Sequence, residues 1–199
     1  MATLTISTRD RLLDEAERLL AAGGVQGVTT REITEAAEQR NASAVSYHFG
    51  SRDGLLREIL ARRGGPVDAA RGERRDLLGA QPSVRDLVAC LIDPYAGLVA
   101  TPHGRSYVRI VAQLRGRFAA WRVESDAATT QHLSRILDEL EARPKVSAPV
   151  RRERIVALIM LLTGSVAERA RRIDDHALLE LDHDEYVANL VDMCAALLG

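Results

Sequence analysis

The sequence predicts an all-α protein. Apolar residues recur three or four positions apart along nearly the whole chain, and the alternating pattern of a half-buried strand is missing. Glycine and proline separate these periodic stretches, at places where helices are expected to end. Aromatic residues make up only 4% of the 199 residues, so we expect an aliphatic core. We expect two parts, a small helical domain over residues 1–63 and a larger helical domain over residues 64–199.

Composition excludes several classes of protein. With 46% hydrophobic and 28% charged residues, the chain has the balance of a globular domain. Its longest apolar run, Ile155 to Leu162, is far shorter than the ~20 residues of a membrane span. The N-terminus lacks the pattern of a secretory signal, and Cys90 and Cys194 do not make a disulfide framework. We therefore expect a cytoplasmic protein without a membrane segment. The net charge of −1 means that any basic surface is local.

The first helix is expected to begin near Ser7, which can cap it, with Asp10 three residues further on. Gly23-Gly24 is expected to end it. A second helix opens at Thr29, and Glu32 completes a capping box.

After a polar turn, Glu38-Gln39-Arg40-Asn41, a short third helix is expected over residues 42–47, with Asn41 as its cap. Ser51 can cap a fourth helix that continues to about Arg63. Gly64-Gly65-Pro66 interrupts the pattern, and we place the domain boundary there.

Longer helices are expected in the C-terminal domain. Pro94 is expected to kink or split the second of these helices. The fifth is apolar nearly all round over Ile155–Leu162, which predicts burial on every side. The expected spans are 67–79, 83–100, 103–117, 122–142, 149–172 and 184–198.

The order helix, short turn, helix over residues 29–49 is the layout of a helix-turn-helix DNA-binding motif. In that layout the second helix enters the major groove, so small or polar groups are needed near its start. Asn41, Ala42, Ser43 and Ser46 meet that need, while Val45 is expected to face inward onto Ile33. From spacing alone, an ordinary helical hairpin with solvated polar residues is an equal alternative.

Phosphate contacts are expected on both flanks of the motif. Five arginines against two acids give residues 40–63 a net charge of +3, which is the sign that DNA requires. The start of the second helix offers hydroxyls and free N–H groups, and further donors follow the third helix. The candidates are Thr29, Thr30, Tyr47, His48 and Arg52.

Residues 7–60 resemble the N-terminal domain of the TetR family of bacterial transcriptional regulators. Three stretches carry the resemblance in order: RLLDEAERLLAAGG, VTTREI and AVSYHFGSRDGLL. The last is similar to the family's aliphatic–x–Tyr–His–Phe–x–Ser–Lys/Arg–x–x–Leu signature. The chain departs from the family in its turn, which is one residue longer and lacks the usual glycine, and in Ser46, where the family often has tyrosine.

The resemblance implies a homodimer that presents two such motifs to the half-sites of a palindromic operator. It also implies a C-terminal domain that binds a small effector and thereby weakens DNA binding. The last two apolar helices suit a twofold four-helix interface, although they could instead close a monomeric core. The interface residues expected on them are Ile155, Ile159, Leu162, Val166, Tyr186, Leu190, Cys194 and Leu197.

The effector pocket is expected among the middle helices, between residues 83 and 142. Few charges fall on Leu87–Ala100, which favours an apolar, neutral ligand, while Arg105 and Arg109 leave an anionic one open. The candidate lining residues are Cys90, Tyr95, Leu98, Tyr107, Val111, Phe118, Trp121 and His132.

The sequence contains no specific pattern for an enzyme, a metal site or a cofactor site. The acid and histidine groups at 174–176 and 182–185 are more typical of solvated helix starts than of metal ligands, and the two cysteines stand in core positions. We therefore predict a non-enzymatic, ligand-responsive DNA-binding regulator that acts as a repressor and needs no cofactor. The alternative is a helical protein-interaction or small-molecule-binding module without DNA-reading activity, which the nine arginines against nine acids in residues 1–63 favour.

Overall fold

The computed structural model describes residues 7–41, 43–114 and 127–199, and within them all regular structure is helical. This confirms the predicted all-α class. The helices are α1 Thr8–Gly23, α2 Thr30–Ala36, α3 Ala44–Phe49, α4 Arg52–Leu77, α5 Val84–Ala96, a 3-10 helix Gly97–Ala100, α6 Pro102–Leu114, α7 Ala127–Glu141, α8 Ala148–Asp174 and α9 His183–Ala196.

Three of the N-terminal helices, α1, α2 and α4, begin where the capping residues predict. The Ser7 hydroxyl accepts a hydrogen bond from the Asp10 N–H, and the Ser51 hydroxyl accepts one from the Gly54 N–H. Thr29 and Glu32 form the reciprocal capping box at the start of α2. Each cap satisfies N–H groups that have no partner within the helix, so short polar residues fix these boundaries.

The third helix lies two residues later than predicted. It spans Ala44–Phe49, because Asn41 does not cap it directly. The Asn41 side-chain oxygen instead accepts a hydrogen bond from the Ser43 N–H at 2.9 Å, which folds the turn back on itself before the helix begins. The same turn contains Glu38 at φ 57°, a left-handed conformation that favours glycine.

The predicted break at Gly64-Gly65-Pro66 is wrong. One helix, α4, runs from Arg52 through Pro66 to Leu77. Proline removes one hydrogen bond of the helix, but Val67 and Asp68 beyond it are buried, and this packing holds the helix together. Gly64 is needed for another reason, since a Cβ there would lie 2.9 Å from the Tyr107 hydroxyl.

Pro94 does not end its helix. The helix α5 continues two residues beyond it to Ala96, and the tighter 3-10 helix Gly97–Ala100 follows. The predicted single span 83–100 is therefore divided between two kinds of helix.

Two hydrophobic clusters form the interior. The smaller one joins α1, α2, α3 and the first half of α4, and it includes Ile110 from α6. The larger one joins the rest of α4 with α5 through α9. Because α4 contributes to both clusters and α6 reaches into the smaller one, the two parts are packed against each other. The division at residues 63 and 64 stays a prediction.

The expectation that Ile155–Leu162 is buried on every side is not met within one chain. Ile155, Leu158 and Leu162 are buried, but Val156 and Met160 are 37% and 52% exposed. An apolar side of α8 thus faces outward. Across the described part of the chain, no helix is both long and apolar enough to cross a membrane.

Candidate nucleic-acid interface

The helices α2 and α3 pack through a few small and aliphatic side chains. Ile33 and Ala37 are fully buried, and Val45 faces inward at 1% exposure, as predicted. This packing turns the opposite side of α3 to the solvent. Ser43 and Ser46 are exposed there, and Asn41 is exposed at the end of the turn before them. Ala42, the fourth predicted base-reading residue, lies outside the described residues.

Tyr47 is the most prominent side chain of α3. It is 82% exposed, and its ring makes an edge contact with the ring of His48 at 4.9 Å between centroids. A large exposed aromatic residue with a hydroxyl donor suits a contact with the DNA backbone. His48 is half-buried and Phe49 contacts the smaller cluster, so only the first of these three rings points fully outward.

The start of α2 is less open to phosphate than the sequence indicates. The Thr29 hydroxyl donates to a Glu32 carboxylate oxygen at 2.7 Å, and the Thr29 N–H donates to the same oxygen at 2.7 Å. These bonds hold the pKa of Glu32 below its usual value, so the carboxylate stays charged. A phosphate at this helix start would meet that negative charge. Thr30 beside it is half-buried.

Arg52 lies inside the domain rather than at its edge. Its guanidinium donates hydrogen bonds to the carbonyl oxygens of Val25 and Val28, the second at 3.0 Å. The side chain therefore ties the start of α4 to the loop between α1 and α2. Arg52 thus positions the motif through one terminal nitrogen, and its predicted phosphate contact stays a prediction.

Most cations of the N-terminal domain are neutralised by acids. Of the nine arginines up to residue 63, only Arg40 and Arg57 are exposed and have neither an ion pair nor a carbonyl partner among the described residues. Sequence reasoning missed both as site residues, although Arg40 adjoins Asn41 and so lies at the start of the recognition segment. The six ion pairs are Arg9–Glu58, Arg11–Glu38, Arg18–Glu15, Arg31–Glu35, Arg62–Asp14 and Arg63–Glu17.

One group of possible metal ligands joins α1 to α6. Ligand atoms of Asp14, Glu17 and His103 lie within 4.8 Å of one another. Both carboxylates already form ion pairs, with Arg62 at 2.7 Å and with Arg63 at 3.1 Å. A cation at this place would have to displace two guanidinium groups, so the cluster is better suited to linking the helices than to holding a metal.

The predicted effector residues are partly core. Cys90, Tyr95 and Tyr107 are buried in the larger cluster, and the two tyrosine rings pack edge to face at 6.4 Å. Leu98, Val111 and His132 are half-buried, while Phe118 and Trp121 lie outside the described residues. Arg105 and Arg109 both pair with Asp174, which uses their charge to join α6 to α8.

Six of the eight predicted interface residues are buried in the chain's own core. An apolar stripe of a helix can face the core of its own chain or a partner chain. These six side chains face the core of their own chain. Tyr186 and Leu197 are half-buried. Among the described residues of the same helices, the exposed large apolar side chains are Val150, Val156, Met160 and Met193. The six buried ones are Ile155, Ile159, Leu162, Val166, Leu190 and Cys194.

A link that the sequence did not indicate connects α6 to the N-terminal domain. The Gln113 side-chain oxygen accepts a hydrogen bond from the Val25 N–H at 2.6 Å. The same amide donates weakly to the carbonyl oxygens of Leu20 and Ala21 at 3.4 and 3.5 Å. Together with the buried Ile110, it fixes the end of α1 and the loop that leads into α2.

Comparison with known proteins agrees with this arrangement. Residues 12–59 match the family model described as bacterial regulatory proteins, tetR family. A regulatory protein of the tetR family from Rhodococcus RHA1 is 20% identical, with a TM-score of 0.60 and 98% of each chain covered. AmtR from Mycobacterium smegmatis is 20% identical at a TM-score of 0.60, over 99% of this chain and 88% of that one.

NalD, described as the secondary repressor of the MexAB-OprM multidrug efflux pump in Pseudomonas aeruginosa, is 22% identical. Its TM-score is 0.60, over 94% of this chain and 93% of its own. At these identities the likeness shows the fold. None of the curated proteins matches the sequence.

Proposed function

We propose that this chain, whose residues 12–59 match the tetR family model, is a non-enzymatic, DNA-binding transcriptional regulator of the TetR family. It acts in the cytoplasm as a homodimeric repressor on a palindromic operator, and a small effector releases it. The observation that carries the proposal is the helix-turn-helix itself, with Ile33, Ala37 and Val45 buried and the polar side of α3 exposed.

The contacts with base edges are assigned to the segment that leads into α3 and to its exposed side. Short polar side chains let a helix approach the floor of the major groove, and an asparagine can pair with adenine through both of its amide atoms. The assigned residues are Asn41, Ala42, Ser43 and Ser46.

The phosphate contacts are assigned to exposed donors around the same segment. Arg40 and Arg57 supply the charge, because the other cations of the domain are paired or bonded to carbonyl oxygens. Tyr47 and His48 supply side-chain donors after the motif, and Thr30 supplies its N–H at the start of α2, where the Thr29 N–H and hydroxyl are already bonded to Glu32. Arg52 acts indirectly by holding the loop that precedes α2.

The dimer is assigned to the outward side of α8. We call Val156, Met160, Gly164 and Ala167 the α8 face, since they follow one another at helical spacing and are exposed or half-buried. Two exposed apolar residues and two small ones allow a second helix to approach closely. Met193 on α9, 41% exposed, extends the apolar surface. An interface of identical faces is the usual form of a twofold dimer.

Effector response is assigned to α6, which contacts both α1 and α8. A ligand that displaces α6 acts on the motif through Gln113 and Ile110, and on the dimer helix through Arg105 and Arg109. The spacing of the two motifs in the dimer then changes. A ligand shifts this equilibrium only by its difference in affinity for the two states.

The test is selection from a random duplex-DNA pool by the purified protein at about 0.15 M salt, where non-specific binding is weak. Enrichment of a palindrome is the expected result. If no sequence is enriched, with or without a metabolite extract, the chain is a helical binding module rather than a DNA-reading regulator.

A further inference from the structure

Among the described residues, three buried side-chain polar atoms of the C-terminal domain have no hydrogen-bond partner: the His132 Nδ1 and two donors that lie together. These donors, the Arg169 Nε and the Tyr186 hydroxyl, are enclosed by protein without a hydrogen bond. Arg169 as a whole is only 9% exposed. Buried polar atoms are nearly always hydrogen-bonded, so two unmet donors indicate that an acceptor belongs there.

Both donors belong to one place. The Arg169 guanidinium carbon lies 4.5 Å from the centre of the Tyr186 ring, so the two side chains stack. One terminal nitrogen of Arg169 donates to the carbonyl oxygens of Leu181 and Asp182, at 2.9 and 3.0 Å. This holds the guanidinium in position between α8 and the start of α9.

The positive charge of Arg169 is not balanced by an acid. It forms no ion pair with any residue in the described ranges. Asp182 and Glu185, the nearest acids along the chain, cap the start of α9 reciprocally and form no ion pair with Arg169. A second buried cation, Arg71, donates to the Leu91 carbonyl oxygen and likewise has no carboxylate partner within the described part.

Tyrosine hydroxyls surround the same interior. Burial raises the pKa of Tyr95, which is 3% exposed, and Arg71 and Tyr186 also lie near enough to act on it. Burial raises the pKa of Tyr186 to about 12, so its hydroxyl keeps its proton at neutral pH and can only gain by donating it to an acceptor. A fixed guanidinium without an ion pair, beside a hydroxyl donor, favours an anion over a neutral molecule.

We propose that Arg169 and Tyr186 bind the carboxylate of a small organic acid between α5, α8 and α9. One carboxylate oxygen accepts from the Arg169 Nε and the other from the Tyr186 hydroxyl. The acid's role as the effector rests on the function proposed above. Its binding to Arg169 and Tyr186 does not depend on that function. The groove of about 420 Å³ between α5 and α9 is a separate feature, since its lining includes Asp93, His183 and Asp184 but neither Arg169 nor Tyr186.

The experiment is isothermal titration calorimetry of the full chain with benzoate and with octanoate, each compared with its neutral amide. At least one of the two acids is expected to bind saturably and at least tenfold more tightly than its amide. Arg169→Gln is expected to weaken that binding at least tenfold, and Tyr186→Phe severalfold. Arg171→Gln is the control, since that arginine is exposed and pairs with Glu168 and Asp175.

Tyr186→Phe removes a single hydroxyl, so it keeps the test decisive if Arg169→Gln does not fold. The inference is overturned if neither acid binds at millimolar concentration, or if the acids bind no better than the amides. It is also overturned if binding is unchanged in Tyr186→Phe, which would leave a buried water as the missing acceptor. Selection of DNA by the ligand-free protein is independent of this result, so the two proposals fail separately.

Discussion

The hydrogen bond between Gln113 and the loop before α2 provides a quantitative prediction. In Gln113→Ala, the Val25 N–H loses an acceptor at 2.6 Å, and Val25 itself is only 4% exposed. A buried N–H left without a partner costs about 1–3 kcal/mol. The two bonds at 3.4 and 3.5 Å are longer than ordinary hydrogen bonds and add little. We expect the free energy of unfolding to fall by about 1–2 kcal/mol, toward the lower end because Gln113 borders the solvent.

Urea denaturation followed by circular dichroism measures this change, and hydrogen exchange of the Val25 amide reports the same bond locally. Gln131→Ala is the control, since Gln131 is an exposed glutamine on α7. Equal loss of stability in the two variants, with no faster exchange of the Val25 amide in Gln113→Ala than in the wild type, would show that this hydrogen bond does not stabilise the loop.

Three further predictions concern the motif and the dimer. Glu38→Gly is expected to stabilise the protein by up to ~1 kcal/mol in urea, since a left-handed residue with a side chain costs about 1–2 kcal/mol and the flexibility of glycine offsets part of that. Arg40→Ala and Arg57→Ala are each expected to weaken binding to every duplex and to lower the slope of log affinity against log salt by about 1, measured by fluorescence anisotropy. Met160→Asp is expected to convert the dimer to monomer at micromolar concentration in analytical ultracentrifugation, because it places a charge in the α8 face.

Each of these has a matched control. Glu38→Ala removes the carboxylate but keeps a Cβ, so equal stability of the alanine and glycine variants would exclude backbone strain. Arg18→Ala removes an arginine that pairs with Glu15, and an equal effect on the salt slope would show that DNA does not select the unpaired cations. Leu178→Asp alters an 81% exposed leucine away from the α8 face, and a dimer that tolerates both aspartates would place the interface elsewhere.

Local signals predicted the N-terminal domain well. Ser7, Thr29 and Ser51 cap helices through their own neighbours, so short-range chemistry is sufficient to place those boundaries. The same reasoning failed at Gly64-Gly65-Pro66, where contacts made by Val67 and Asp68 with distant helices outweigh the local preference to break. The hydrogen bond from the His132 N–H to Asp68 joins residues 64 positions apart, so the local sequence pattern could not predict it.

Periodicity predicted which helices are apolar but not which side of each faces the chain. Ile159 and Met160 are adjacent and both apolar, yet one is buried and the other is half exposed. Likewise, charge counting found a positive segment at residues 40–63 without showing that Arg52, Arg62 and Arg63 are engaged within the protein. Burial of Arg71 and Arg169 had no sequence signal, because buried charges are rare and depend on the whole fold.

We propose that α3 reads a DNA sequence, and a comparison of two duplexes tests this. The affinity of the purified protein for the palindrome enriched from the random pool is measured beside its affinity for a scrambled duplex of the same composition, at about 0.15 M salt. We predict a preference of at least ~10³-fold for the palindrome, as specific regulators show. Equal affinity for the two duplexes would contradict the claim.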